Sequence, residues 1–322
     1  MGAGHEHAHG VSAGADRRWL TAALGLILAF MAAEVVIGLA AGSLALLSDA
    51  AHMLTDAAAI ALALIAMRLA ARPPRGGFTY GFRRAEILSA QANGLTLLLL
   101  AVWLGYEAVR RLITPPEVHG ALVLGTAIAG VVVNIAATWL LSRANRTSLN
   151  VRGAYQHILN DLFAFIGTAV AGLVIVLTGF VRADAIATLV VVLLMAKAGI
   201  GLLRDSGRIF LEGAPAGLDT TALGDRLAGL PGVAEVHDLH VWTITSGEPA
   251  LSAHVLVRPG HDCHGVRRDM ERMLVDGYHI EHTTLQVDHA DDTVRAEAEP
   301  YCAHSHGPVH RNGIGVSPDG PA

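Results

Sequence analysis

The stretch 43–56, SLALLSDAAHMLTD, opens an apolar run of membrane length and carries His52 and Asp56 four residues apart. Four residues is about one turn of α-helix, so the two side chains project from one face, one above the other. Asp49 belongs to the same stripe, three residues before His52. The spacing recurs in 155–161, YQHILND, where His157 precedes Asp161 inside a second apolar run. Ionisable groups at membrane depth are costly, and they line ion pathways or pair with one another. Two imidazoles and two carboxylates are enough to enclose one tetrahedral divalent ion, and zinc accepts N and O ligands at about 2.0–2.2 Å. Mg²⁺ prefers about six oxygens and keeps its water, so a His-rich site disfavours it. A polar lock between helices is the other reading of such a pair. Two identical pairs in two spans favour the metal.

Working outward, the composition places much of the chain in lipid. Of 322 residues, 52% are hydrophobic and only 16% charged, against roughly 25% charged in an average soluble domain. The mean hydropathy is +0.46. A net charge of −5 gives no reason to expect a nucleic-acid partner. Cys263 and Cys302 are too few and too separated for a disulfide framework. Histidine, at 17 copies, is the outlier.

Six windows have the length a membrane helix needs, about 20 residues for a ~30 Å core: 19–41, 44–69, 85–112, 118–141, 154–180 and 183–203. Arginines gather before the first span, around the second and fourth loops and after the sixth, so both termini are expected in the cytoplasm. Arg110 and Arg111 are discordant. With that orientation the second and fifth spans run antiparallel and their His/Asp pairs can face each other. His157 lies near the cytoplasmic end of its window, so equal depth with His52 is an assumption. Asn134, in the fourth span, offers a transient ligand or, preferably, a helix–helix hydrogen bond. Glu34, Gln91, Asn93 and Glu107 read as packing or gating contacts.

Residues 1–16 form a His-bearing soluble arm with no signal-peptide h-region. The membrane domain is expected over 17–211. From 212 to 290 the texture is that of a small soluble domain: a helix over 220–230, strands over 233–245 and 250–257, a helix over 264–275 and a strand over 283–288. That αββαβ order predicts an α+β sandwich. Strand alternation places His237 and His240 on opposite faces. Residues 291–322, acidic and then Gly/Pro/His-rich, read as a disordered tail. The segments His5-Glu-His-Ala-His and Cys302-Ala-His-Ser-His offer closely spaced metal donors.

The segments SLALLSDAAHMLTD (43–56), YGFRRAEIL (80–88), NVRGAYQHILND (150–161), VHDLHVW (236–242) and SAHV (252–255) together resemble the cation diffusion facilitator family, in its zinc-efflux branch. The resemblance covers residues 19 to 289. It implies an α-helical membrane protein: a homodimer with six transmembrane helices per subunit and a cytoplasmic ferredoxin-like (αββαβ) domain. It also implies exchange of a divalent cation for protons by alternating access, in an integral membrane protein that is not an enzyme; the short loops suggest a bacterial inner membrane. Carried over residue by residue, the transport site is His52, Asp56, His157 and Asp161. Members with Asp at the first His are less zinc-selective, so His52 implies zinc, with cadmium or cobalt as passengers. A charge interlock is implied between Arg84, opening the third span, and Asp205, after the sixth. His237, His254 and Asp288 match cytoplasmic metal positions, but Gln286 replaces a further His, which argues against a binuclear site. Arg72–Tyr80 lacks the acidic or His loop site of some members.

Metal binding needs deprotonated ligands, so loading zinc releases protons. Free imidazole titrates at about 6.5, closest to physiological pH, which makes His52 and His157 the expected proton carriers. A membrane metalloenzyme is the rival from another class, but His-Glu-x-x-His is absent. A passive metal channel and a membrane metal sensor are the other rivals.

Overall fold

The computed structural model describes residues 13–41, 44–115, 120–144, 148–290 and 307–311, and within α2 the side chains of Asp49 and His52 lie outside the described residues. The chain divides into two units at Gly207/Arg208. The first contains α1 (Ala13–Ala41), α2 (Leu44–Ala70), α3 (Ala85–Ile113), α4 (Gly120–Ser142), α5 (Leu149–Thr178) and α6 (Arg182–Phe210), which continues into the second unit. Among the described residues, five helices are long and apolar enough to cross a membrane, in α1, α3, α4, α5 and α6. α2 is a 27-residue helix. Their outer faces leave large apolar side chains such as Val102, Trp103, Leu177 and Leu193 exposed, as a lipid-facing surface does.

Burial inside the bundle is uneven. Leu20 and Ile27 of α1, Met53 and Ile60 of α2, Leu141 of α4 and Ile158 of α5 share one cluster. A second joins α3 to α6 through Leu97, Ala101, Val191, Met195 and Leu202. Gly94 and Gly199 let α3 and α6 approach, since a Cβ on Gly199 would stand 2.9 Å from the Gly94 carbonyl. Small residues at crossing points are how membrane helices gain contact where lipid removes the hydrophobic drive.

α5 begins at Leu149 rather than at the expected 154, so His157 sits more than two turns inside the helix. α6 runs on past its apolar window, so Asp205 lies within it, not after it. Arg110 and Arg111 at the end of α3 are matched by acids: Glu107 is 3.6 and 3.0 Å from them, and Asp184 is 3.5 Å from Arg111.

The second unit follows the expected order: α7 (Thr220–Ala228), β1 (Val233–Thr245), β2 (Glu248–Val257), α8 (Cys263–Tyr278) and β3 (His282–His289), with β4 (His310–Arg311) added. Asp219 and Asp262 cap the two helices by accepting from backbone N–H groups of their first turns. Gly247, at φ +78°, turns β1 into β2. The sheet order is β3-β2-β1-β4, with β2 and β3 parallel across α8 and the other pairs antiparallel. One face packs Val236, Leu251, Ala253 and Val255 against Leu223, Leu227, Met270 and Leu274 of the helices. The expectation that the chain after 290 is unstructured fails at residues 310–311, which form a strand because β1 offers an open edge; His5-Glu-His-Ala-His and Cys302-Ala-His-Ser-His lie outside the described residues.

Candidate metal centre

Three of the four membrane residues singled out by their spacing meet. Asp56 of α2 and His157 of α5 are 5% and 1% exposed. His157 Nε2 stands 3.0 Å from Asp56 Oδ1 and 4.0 Å from Asp161 Oδ2. One ligand atom from each of the three falls within 4.8 Å of the others. His52 lies one turn before Asp56 in α2, but its side chain, like that of Asp49, is outside the described residues. His157 Nδ1 and Asp161 Oδ2 are buried without a hydrogen-bond partner. Orphaned acceptors and carboxylates this close are expensive unless a cation or proton joins them. The donor set, one imidazole and two carboxylates, suits a borderline divalent metal.

α5 is held against three neighbours near its N-terminus. Asn150 Nδ2 donates to the Ala63 carbonyl of α2 at 2.9 Å. Ser148 Oγ donates to Glu86 of α3 at 3.1 Å. Arg152 donates to Asp205 of α6 at 2.8 Å. The interlock expected between Arg84 and Asp205 thus takes a different base: Asp205 pairs with Arg152, because the longer α5 brings that guanidinium alongside α6, while Arg84 occupies the cap of α3. Asn150 gives no signal in the sequence, because a single amide ahead of the apolar window has no periodic signature. Asn134 is buried and donates to the Gly130 carbonyl of its own helix at 3.1 Å, so that bond joins no other helix.

Toward the opposite end of the helices a cavity of about 250 Å³ reaches Asp56 and Asp161. Thr126 and Thr188, each in the second turn of its helix, and Thr168, late in α5, line it. It therefore leads from the carboxylates to the end where α4 and α6 begin.

The second unit holds another group. His237, Asp238 and His254 bring ligand atoms within 4.8 Å of one another. The two imidazoles are 5.4 Å apart at nearly right angles, and His254 Nδ1 is 3.5 Å from Asp238 Oδ2. Glu235 Oε1 lies 3.3 Å from His237 Nδ1. Asp288 is not in this group. It pairs in register with Leu256, is exposed, and accepts from Gln286 at 3.0 Å. Asp238 stands in its place. The cause is a bulge: His237 faces His254, but His240 faces Ser252, leaving one extra residue on β1, and Asp238 has φ +49°. The bulge also overturns the alternation argument, since His237 and His240 now oppose two residues on the same face of β2. A cavity of about 200 Å³ on that face is lined by Asp238, His240, His254 and Gln286.

Residues 20–211 match the cation efflux transmembrane domain, and residues 215–290 the cation efflux protein cytoplasmic domain. The chain belongs to the cation efflux family of membrane transporters, the cation diffusion facilitators. Among its relatives, "Zinc transporter ZitB" of Escherichia coli K12 is 39% identical over 290 residues, covering 88% of this chain and 92% of that one. "Metal cation efflux system protein CzcD" of Cupriavidus metallidurans is 39% identical over 291 residues, 89% and 90% of the two chains. A "Cadmium, cobalt and zinc/H(+)-K(+) antiporter" of Bacillus subtilis is 35% identical over 290 residues, 88% and 92%.

Proposed function

We propose that this protein exports zinc from the cytoplasm in exchange for protons, with cadmium and cobalt as secondary cargo, at a site made of His52, Asp56, His157 and Asp161. The meeting of buried Asp56 and His157 with half-buried Asp161 carries this reading. His52, one turn from Asp56, supplies the fourth ligand. The two carboxylates balance the ion's charge, and the imidazoles release protons as it loads. The relatives' names, zinc alone or zinc with cadmium, cobalt and H⁺, support the cargo and the exchange.

The chain crosses an inner membrane six times with both termini in the cytoplasm, as the arginine bias argues. In that orientation the cavity faces outward and the α5 contacts through Ser148, Asn150 and Arg152 close the cytoplasmic side. Alternating access breaks that closure and forms another beyond the site. The ferredoxin-like cytoplasmic domain joins two copies into a homodimer, and His237, Asp238 and His254 hold one further metal ion there, whose binding favours the tighter dimer. Asp49 and Asn134 act as packing groups.

Metal flux into reconstituted liposomes, with and without a pH gradient, tests the proposal. Zinc should move fastest against an opposing proton flow, and His157→Ala or Asp161→Ala should abolish the flux while the protein stays folded. Flux indifferent to the pH gradient would make the protein a passive channel. Absence of any flux would favour a sensor.

A further inference from the structure

We propose that the slot between α7 and the β1 edge is a docking site for an extended His-Arg segment, filled by the chain's own residues 307–311 as an intramolecular latch. β4 pairs antiparallel with β1, His310 opposite Val236 and Arg311 opposite Glu235. Main-chain pairing alone accepts almost any sequence, and pockets for side chains confer selectivity. Here the pocket is specific. His310 is only 4% exposed although its strand is two residues long. Its Nδ1 donates to Asp225 Oδ1 at 2.7 Å, because an ionised carboxylate can only accept. The imidazole lies against Gly224, where a Cβ would overlap the ring. Gly224 is therefore required for space, not for backbone freedom. Arg311 Nε donates to Glu235 Oε2 at 2.8 Å.

A histidine and an arginine each meet their own carboxylate, so a neutral or acidic segment would forfeit both contacts. An open β1 edge would present unpaired N–H and C=O groups of the kind that recruit other chains. β3 and β4 lie on opposite edges of the sheet, so docking ties the chain after His289 back across the domain. Glu235 also approaches His237, which places the latch one carboxylate away from the His237–Asp238–His254 group.

Hydrogen–deuterium exchange at residues 233–238 tests this in the full chain, intact and truncated after His306. Truncation and His310→Ala should each speed exchange there by about tenfold or more. The peptide GPVHRNG, residues 307–313, should restore protection to the truncated chain at one peptide per chain. Gly224→Val in the truncated chain should block that rescue. His310→Ala keeps the test open should the truncated chain fail to fold. Equal exchange in intact, truncated and His310→Ala chains overturns the latch. Equal rescue by the peptide with Ala in place of His overturns the selectivity. Protection of the intact chain that fades on dilution assigns the strand to a second copy and overturns the intramolecular reading.

Discussion

His157 shows how one side chain joins two kinds of information. Its spacing from Asp161 follows from helical periodicity alone, whereas its 3.0 Å approach to Asp56 depends on how α2 and α5 cross. Glu235 carries the corresponding lesson in the soluble unit, because it reaches both His237 and Arg311. A carboxylate beside a ligating imidazole orients the ring and raises its basicity. Glu235→Gln should therefore weaken zinc at the His237–Asp238–His254 group by about tenfold, read by zinc titration in an Asp161→Ala background that removes the membrane site. Unchanged affinity would separate Glu235 from that group. Asp238 itself was illegible in the sequence: a strand read as a plain alternation cannot reveal the bulge that aims this carboxylate between two histidines.

Helix ends and helix crossings explain most of the remaining differences. The apolar window of the fifth span starts at Ala154, after Asn150 and Arg152, yet α5 begins at Leu149, because Asn150 and Arg152 find partners on α2 and α6. Hydropathy records lipid exposure, whereas helix length also depends on polar bonds inside the bundle. If those bonds close the cytoplasmic side, Asp205→Asn should raise hydrogen exchange across residues 149–157 and leave the middle of α3 unchanged. No rise would mean that Arg152 and Asp205 serve packing alone. The Gly94–Gly199 crossing makes a second test. Gly199→Val would push side-chain atoms into the Gly94 carbonyl and Leu98, so a loss of about 1–3 kcal/mol is expected, as for overpacked interiors. Thermal unfolding in detergent would measure it, and an unchanged midpoint would show that α3 and α6 separate freely.

Across the chain, the two compact units coincide closely with the two matched family domains. If the membrane group holds zinc, metal at a hundred times its dissociation constant should stabilise the fold by about 2.7 kcal/mol. A thermal shift measured with and without zinc, in a His254→Ala background that removes a member of the second group, should shrink in His157→Ala. Equal shifts in both chains would place the stabilising ion elsewhere. Periodicity, hydropathy and charge bias along the sequence determined the helical spans, the αββαβ order and the paired His/Asp turns, because each is a property of consecutive residues. Only the tertiary structure decided that Asp205 pairs with Arg152, that Asp238 rather than Asp288 joins His237 and His254, and that His310 docks beside Gly224. Those contacts depend on strand register, a bulge and a helix crossing, and such long-range geometry leaves no local pattern to read.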